Sequence, residues 1–332
     1  MSWLLELKDV SVAFEVSRGV FTSRVKAKAI DRVSLQLGER QTLALVGESG
    51  CGKTTTGRVA AGLIRPTEGS VLFYGRDVWK LDRAEFRVFR RSVQIIHQDP
   101  YASLNPMLTI YRTLSAPLFN YGIVSSKREA VEYVSKLLET VGLVPPEDFI
   151  FKYPHQLSGG QRQRVVIARA ISINPKCIVA DEPVSMIDVS LRLQILRLMK
   201  DLQRKMGISY LFITHDLATG RYFASDGYTA VMYLGTIVEF GPTNSVILDP
   251  QHPYTRVLLS AIPEPDPEKT RKKKVMQLRS LDVPSLLNIP PGCKFHPRCP
   301  FFIEGKCDKQ PPPRYHLGKD RWVACYLYEG AG

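Results

Sequence analysis

Long hydrophobic runs are missing from this 332-residue sequence. No stretch approaches the roughly 18–20 apolar residues of a transmembrane helix, which argues against a span through a membrane. The first residues, Met1 to Lys8, lack the basic stretch followed by an apolar stretch that marks a secretory signal. We therefore expect the protein to stay in the cytosol unless a partner holds it at a membrane.

Cysteine is scarce as well, with 6 residues in the chain, which excludes a disulfide scaffold as the source of its stability. Acidic residues are outnumbered by basic ones, so that the formal net charge is +13. Such an excess favours contact with polyanions, acidic membrane surfaces or acidic proteins. Part of the charge lies in the run from Lys269 to Lys274, which we interpret as a solvated linker. The charge alone is weak evidence for nucleic-acid binding.

A complete phosphate-binding motif follows the apolar run Leu43–Val46. Residues Gly47 to Thr54 match G-x-x-x-x-G-K-[ST], between a predicted buried strand and a predicted helix. The glycines let the backbone approach a phosphate closely, and the free amides and positive helix end then bind the anion. In this pattern Lys53 reaches the β- and γ-phosphates and the Thr54 hydroxyl holds Mg²⁺. The motif predicts that the chain binds a nucleoside triphosphate.

Strand and helix patterns alternate after this motif, which predicts an α/β fold with a mixed, mostly parallel sheet. Before it, strand patterns at Leu5–Val16 and Ala29–Leu37 predict an antiparallel β layer, with a loop over Ser17–Lys28. The segment from about 85 to 171 is mostly helical in pattern, and we predict a helical subdomain inserted in the core.

A proline-rich stretch, Pro263–Pro267, marks a domain boundary. We predict a nucleotide-binding domain over 1–260, a linker over 261–292 and a small cysteine-rich C-terminal domain over 293–332. The C-terminal domain holds four of the cysteines.

Two acidic residues, Asp181 and Glu182, end an apolar strand pattern downstream of the phosphate motif. Asp181 is placed to orient Mg²⁺ through its water shell, and Glu182 could polarise the attacking water as a general base. A helix N-cap or a solvated turn is the alternative interpretation of the pair.

A second small-residue motif, Leu157–Gln161, begins a predicted helix, and its amides and helix dipole make it a second anion cradle. One nucleotide rarely needs two such cradles from one chain. The motif therefore predicts a head-to-tail dimer, in which the second cradle of each subunit caps the γ-phosphate held by the other. A plain helix N-cap at Ser158 is the alternative.

With these motifs in this order, the sequence resembles the ATPase subunits of ABC transporters from about residue 5 to 260. The matching elements are Walker A at Gly47–Thr54, the Q-loop Gln98, the signature at Leu157–Gln161, Walker B ending at Asp181-Glu182, the D-loop at Ser185–Asp188 and the switch residue His215. Three segments resemble the dipeptide/oligopeptide importer group, namely Gln98–Pro106, Tyr153–Gln156 and Asp249–Thr255.

The resemblance implies an ABC-type P-loop ATPase core and a role for each matching residue. Gln98 would sense the γ-phosphate and Mg²⁺ and couple to a transmembrane partner, and His215 would contact the γ-phosphate. An aromatic residue after the first strand stacks on adenine in this family, and Phe14 matches that position best, with Phe21 second. In the D-loop, Met186-Ile187 replaces the usual Ala-Leu, which leaves Asp188 in place.

The predicted site therefore has a catalytic, a nucleotide-binding and a Mg²⁺-binding set. The catalytic residues are Glu182, His215 and Gln98. The nucleotide-binding residues are Gly47, Glu48, Ser49, Gly50, Cys51, Gly52, Lys53, Thr54, Thr55, Phe14, Asp181, Ser158, Gly159, Gly160, Gln161 and Asp188. Thr54 and Gln98 are the predicted Mg²⁺ ligands.

Four cysteines, Cys293, Cys299, Cys307 and Cys325, crowd the C-terminal segment. Disulfides are disfavoured in a reducing cytosol, and the close C-x₂₋₄-C pair that zinc prefers is absent. A four-thiolate iron–sulfur cluster tolerates broader spacing. The segment also resembles the C-terminal extension of the peptide-importer ATPases, which implies a [4Fe–4S] cluster; zinc, disulfides and free thiols are the alternatives.

The sequence thus predicts an ATP-hydrolysing subunit that energises uptake of peptides or similar solutes, oligosaccharides included, at the cytoplasmic face of the membrane. The expected partners are a second, related ATPase subunit, two transmembrane permease subunits and, indirectly, an extracellular solute-binding protein. A soluble ABC-type ATPase acting on nucleic acid or ribosomes is the rival, but the single signature and compact helical insertion favour the transporter, and we expect no nucleic-acid partner. A redox sensor, in which the cysteine segment controls the ATPase, is compatible with the first prediction.

Overall fold

A computed structural model describes residues 3–17, 24–262 and 276–330. The strands in these ranges are β1 (Leu5–Ser17), β2 (Arg24–Leu37), β3 (Thr42–Val46), β4 (Glu68–Phe73), β5 (Arg76–Asp77), β6 (Val93–Ile96), β7 (Cys177–Asp181), β8 (Ser209–Thr214), β9 (Tyr228–Tyr233), β10 (Thr236–Pro242), β11 (Tyr315–Gly318) and β12 (Arg321–Val323). The helices are α1 (Lys53–Ala60), α2 (Arg83–Ser92), α3 (Pro100–Ser103), α4 (Ile110–Asn120), α5 (Lys127–Thr140), α6 (Glu147–Ile150), α7 (Gly159–Ile171), α8 (Val189–Met206), α9 (Leu217–Phe223), α10 (Thr243–Leu248) and α11 (Pro253–Ser260).

Two compact units make up the chain. The first contains the described residues of 1–4, with 37–41 and 80–213, and the second contains the described residues of 5–36, 42–79 and 214–332.

Parallel strands form the sheet of the first unit, where β6 pairs with β7 and β7 pairs with β8. All residues of β7 and β8 are buried, as the continuous apolar runs of their sequences predict. Between β6 and β7 the chain is helical, from α3 to α7, and these helices bury apolar residues such as Leu114, Val134 and Ile167. The predicted helical insertion is therefore present, although its limits at 85 and 171 stay a prediction.

The second unit combines parallel and antiparallel pairing. Strand β3 pairs in parallel with β9, whereas β9 with β10, β10 with β12, and β12 with β11 are antiparallel. A separate antiparallel layer has the order β2-β1-β4-β5. The mixed α/β fold with an antiparallel layer, predicted from the sequence, is confirmed.

The N-terminal loop prediction needs a correction. We expected a loop over Ser17–Lys28, but β1 includes Ser17 and β2 begins at Arg24. Arg24–Lys28 alternates basic residues with Val25 and Ala27, which is a strand pattern that the loop prediction overlooked. In the structure β2 lies beside β1 in the antiparallel layer.

The cysteine-rich segment is built into the second unit instead of folding as a separate body. Strand β12 pairs with β10, and Phe295 and Cys299 belong to the buried cluster that contains Val46, Tyr233 and Tyr254. A segment of about 40 residues buries too little surface to be stable alone, so it shares this larger core. The boundaries predicted at 260 and 292 stay predictions.

Among residues 3–17, 24–262 and 276–330, no helix combines the length and hydrophobicity that crossing a membrane requires.

Replacing Phe295 with alanine tests whether the extension shares the core of the second unit. The Phe295 side chain is 1% exposed, and its ring centroid lies 5.2 Å from that of Tyr233 and 5.4 Å from that of Tyr254. We expect Phe295→Ala to lower the free energy of unfolding by about 3–5 kcal/mol, because it leaves a cavity in this cluster. Chemical denaturation measures the loss, and Phe151→Ala, at a side chain 64% exposed, is the matched control. Equal unfolding midpoints for the two variants would contradict the shared core.

Candidate nucleotide-binding site

The phosphate loop runs from the end of β3 to the start of α1, and its backbone has no room for side chains at two glycines. A Cβ on Gly47 would lie 2.2 Å from the carbonyl oxygen of Met232, and one on Gly52 would lie 2.5 Å from that of Ala29. Gly52 also has φ of 107°, in the region that favours glycine. These positions keep the loop compact and its amides accessible at the N-terminus of α1.

Lys53 is held at the centre of this loop. Its side chain is buried, and Nζ donates hydrogen bonds of 2.8 Å to the carbonyl oxygens of both Gly47 and Glu48. The ammonium group is thereby placed inside the curve of the loop, where a bound phosphate would share it. Thr54, the predicted Mg²⁺ ligand, is half-buried in the first turn of α1.

Two residues that the sequence argument missed also contact the loop. The Tyr254 hydroxyl accepts a 2.8 Å hydrogen bond from the Glu48 amide, and Arg298 forms an ion pair with the Glu48 carboxylate. Tyr254 lies in the Asp249–Thr255 segment, for which the sequence predicts only a family resemblance, and Arg298 lies in the cysteine-rich segment, directly before Cys299. Spacing along the chain carries no signal for either contact, since Arg298 is 250 residues from Glu48.

The acidic pair lies at the carboxyl end of β7, in the first unit. Asp181 is buried and ends the strand, while Glu182 follows it with φ of 47°, a conformation that L side chains adopt at some strain. The Glu182 amide donates to the carbonyl oxygen of Ile213 at 2.9 Å, which fixes this turn. This contact holds the backbone of Glu182 in the strained conformation.

Gln98 lies next to Glu182 because β6 and β7 are parallel and in register. Ile96 pairs with Ala180, so Gln98 and Glu182, each two positions further along, are also neighbours. The Gln98 Nε2 group donates a 3.0 Å hydrogen bond to Oε2 of Glu182. The structure thus brings together the predicted γ-phosphate sensor and the predicted general base.

The signature motif is a capped helix start in the same unit. Ser158 Oγ accepts from the amide of Gln161 at 3.3 Å, and Oε1 of Gln161 accepts from the amide of Ser158 at 3.0 Å. This capping box holds the first turn of α7 open at Gly159 and Gly160. The N-cap interpretation of Ser158 is therefore confirmed, and the anion cradle stays a prediction.

Asp188, His215 and Phe14 are further predicted residues that the structure describes. In the D-loop, the Ser185 hydroxyl donates to the carbonyl oxygen of Glu182 at 3.0 Å, and Asp188 immediately precedes α8. His215 is exposed just after β8, and Phe14 is 43% exposed on β1, as a stacking residue requires. Phe21, the second adenine candidate, lies outside the described residues. The roles of these residues stay predictions.

The four C-terminal cysteines line one cavity, together with Phe295, Phe301 and other apolar side chains. All four are free thiols, and the Cys293 amide donates to the carbonyl oxygen of Cys307 at 2.8 Å. Burial raises the pKa of Cys293 to about 12 and that of Cys299 to about 11. Within the part of the chain that the structure describes, no three histidine, cysteine, aspartate or glutamate side chains are arranged to hold a single metal ion.

Two family models match this chain, one in its N-terminal half and one towards its C-terminus. Residues 30–185 match the family model described as ABC transporter, and residues 238–307 match the one described as oligopeptide/dipeptide transporter, C-terminal region. The oligopeptide transport ATP-binding protein OppF of Escherichia coli (strain K12) is 45% identical, over 90% of this chain and 89% of its own. The di/tripeptide transport ATP-binding protein DppF of Pseudomonas aeruginosa (strain UCBPP-PA14) is 42% identical over 99% of both chains.

A solved structure agrees with the fold. It is the dimeric, post-hydrolysis state of the ATP-binding cassette MJ0796 bound to ADP and Pi. Its TM-score against this chain is 0.62 at 29% sequence identity, covering 72% of this chain and 98% of that one.

The phosphate loop, the Gln98–Glu182 pair and the capped signature helix together define an ATPase of the ABC type. The two family models and the relatives are more specific. This chain belongs to the ATP-binding proteins of the ABC transporters, in the oligopeptide/dipeptide transporter group. It is the ATP-hydrolysing subunit of a membrane transporter, peripheral at the cytoplasmic face.

Replacing Glu182 with glutamine tests its assignment as the general base. The amide keeps the size of the side chain but cannot accept a proton, so we expect ATP hydrolysis to fall by about 10²–10⁴-fold while Mg²⁺-ATP still binds. Phosphate release and nucleotide affinity, measured on the same preparation, separate the two effects. Glu139→Gln, at an exposed position of α5, is the control and should behave as wild type. Undiminished hydrolysis by Glu182→Gln would refute the assignment.

Proposed function

We propose that this subunit energises the uptake of peptides or similar solutes by a membrane importer, in a head-to-tail pair with a second, related ATPase subunit. The pairing is supported by two glycine-containing helix starts, the phosphate loop before α1 and the signature at the start of α7, each of which we propose as an anion cradle. One triphosphate bound at the loop has no need of both from the same chain. Each nucleotide would lie between the loop of one subunit and the signature of the other.

Within such a pair, the residues of this chain have distinct tasks. Lys53 and the loop amides would bind the phosphates, Thr54 and Gln98 would hold Mg²⁺, and Asp181 would orient its water shell. Glu182 takes a proton from the attacking water, and its hydrogen bond to Gln98 at 3.0 Å links that step to the Q-loop. When bound, Mg²⁺ would supply positive charge to stabilise the transferred phosphoryl group.

The solute and partners follow from the relatives. Proteins similar over almost the whole chain carry oligopeptide transport and di/tripeptide transport in their names, which supports peptides as the solute class. Two permease subunits would receive the movement of the ATPase pair, and an extracellular solute-binding protein would act indirectly. No comparison favours the alternative, an ATPase acting on nucleic acid or ribosomes.

Reconstitution in proteoliposomes tests the solute class. The subunit is assembled with two permease subunits, a second ATPase and a binding protein from the same organism, and ATP hydrolysis is measured with added tripeptide, oligosaccharide or RNA. We expect peptide with binding protein to raise hydrolysis, and Glu182→Gln to abolish the rise. Stimulation by oligosaccharide alone would refute the peptide assignment, and stimulation by RNA without any permease would support the nucleic-acid alternative.

The extension suits a [4Fe–4S] cluster held by Cys293, Cys299, Cys307 and Cys325. Four thiols line one apolar cavity, and a four-iron cluster takes one thiolate on each iron, so its ligands need not converge on a single point. Zinc would require that convergence, and none is found among the described residues. The cluster would be coordinated by thiolates, so the raised pKa values apply to the metal-free protein.

Anaerobic purification with iron and sulfide assays tests the cluster. We expect about four iron and four sulfide per chain, with a brown colour that oxygen bleaches. Cys307→Ser should lower the iron content, whereas Cys177→Ala, at a cysteine buried in β7, should retain it. Colourless protein with stoichiometric zinc would refute the iron–sulfur assignment.

A further inference from the structure

Glu48 is the residue through which the cysteine-rich extension contacts the phosphate loop. Its carbonyl oxygen accepts from Lys53 Nζ at 2.8 Å, so it is part of the anion cradle itself. Its amide donates to the Tyr254 hydroxyl at 2.8 Å. Its carboxylate, the only acidic group in the loop sequence Gly47–Thr54, is paired with Arg298.

The ion pair is bidentate, and it joins a buried guanidinium to a half-buried carboxylate whose side chain is 28% exposed. Arg298 Nη1 lies 2.9 Å from Oε2 of Glu48, and Nη2 lies 3.2 Å from Oε1. Arg298 is 5% exposed, and its guanidinium lies 5.9 Å from the ring centroid of Tyr233 and 5.8 Å from that of Phe295. Removal of Arg298 leaves the half-buried Glu48 carboxylate without its bidentate partner.

The position of Arg298 depends on the fold of the extension. Its amide donates to the carbonyl oxygen of Phe295 at 3.0 Å, and its own carbonyl oxygen accepts from the Arg279 amide at 3.1 Å. Cys299 follows it directly, and the Cys299 amide donates to the carbonyl oxygen of His296 at 3.3 Å. Any rearrangement at Cys299 therefore acts on the neighbouring arginine.

Charge at the phosphate loop follows from this arrangement. Lys53 contributes one positive charge and Glu48 one negative charge, and they would cancel if Glu48 were unpaired. With Arg298 in place the three groups sum to one positive charge, which attracts a triphosphate. Without Arg298 a bare carboxylate lies next to the anion site, where it repels phosphate at short range.

We propose that the cysteine-rich extension sets the ATP affinity of the phosphate loop. Arg298 is the positioning residue, because its ion pair with Glu48 couples the fold of the extension to the charge of the loop. An intact extension keeps Glu48 neutralised and turned away from the phosphates. A disrupted extension releases Arg298, exposes the Glu48 charge to the nucleotide and weakens binding.

A double-substitution experiment tests this inference. Binding of a non-hydrolysable ATP analogue with Mg²⁺ is measured for the wild type, Arg298→Gln, and Arg298→Gln combined with Glu48→Gln. We expect Arg298→Gln to weaken binding by roughly 5- to 50-fold. The double variant restores the charge balance and should return to within about threefold of the wild type. Lys306→Gln, which breaks the Lys306–Glu329 pair within the extension, is the control and should leave affinity unchanged.

Rescue distinguishes positioning from a merely structural role. If Arg298 only stabilised the extension, Arg298→Gln would lower the unfolding midpoint and Glu48→Gln would not restore affinity. Wild-type affinity in Arg298→Gln, or an unrescued loss in the double variant, would overturn the inference.

A second experiment tests whether ATP affinity depends on the cysteines. Unlike the substitution experiment, it rests on the iron–sulfur cluster proposed above. Removing the iron by anaerobic chelation should weaken analogue binding to the wild type but not to the Arg298→Gln/Glu48→Gln variant. Equal affinities of wild type with and without iron would overturn the link to the cluster. Protein that never contains iron would refute the cluster instead, while the substitution experiment, which needs no metal, still decides the role of Arg298.

Discussion

Close approach of backbone to phosphate is the constraint on which the second unit depends. The Gly47 and Gly52 positions admit no side chain, because carbonyl oxygens of Met232 and Ala29 occupy that space. Those oxygens belong to β9 and β2, so the parallel β3–β9 pair and the antiparallel layer both shape the loop. Lys53 then satisfies two loop carbonyl groups and places a positive charge within the curve. Backbone geometry, more than any side chain, makes the anion site.

A second constraint operates in the first unit, where chemistry depends on strand register. The parallel pairing of β6 and β7 places Gln98 within hydrogen-bonding distance of Glu182. The backbone of Glu182 has a strained, positive φ. Groups that must act on the same phosphoryl transfer thus come from strands that are distant in sequence. A change of register by one residue would separate them and point the side chains to the other face.

The extension adds an electrostatic condition to the nucleotide site. Its buried Phe295 joins it to the core around Tyr233 and Tyr254, and its Arg298 neutralises the acidic residue of the phosphate loop. The cysteine-rich extension therefore does more than add strands β11 and β12 to the edge of the sheet, because through Arg298 it can also affect ATP binding. The cysteine cavity, the hydrophobic cluster and the loop form one continuous set of contacts within the second unit.

The sequence by itself determined the ATPase motifs, most helices and strands, and the family, because each depends on local patterns. The phosphate motif, the Ser158 cap and the apolar run before Asp181 each consist of residues that are close together in the sequence. The physical signal of each motif therefore lies within a few residues. Only the tertiary structure decided which residues meet across long separations. The Glu48–Arg298 pair, the Tyr254 hydroxyl on the loop and the docking of Phe295 left no periodicity or spacing to detect. The start of β2 at Arg24 was missed for a different reason, because Arg24–Lys28 does alternate basic with apolar residues and the local pattern was overlooked.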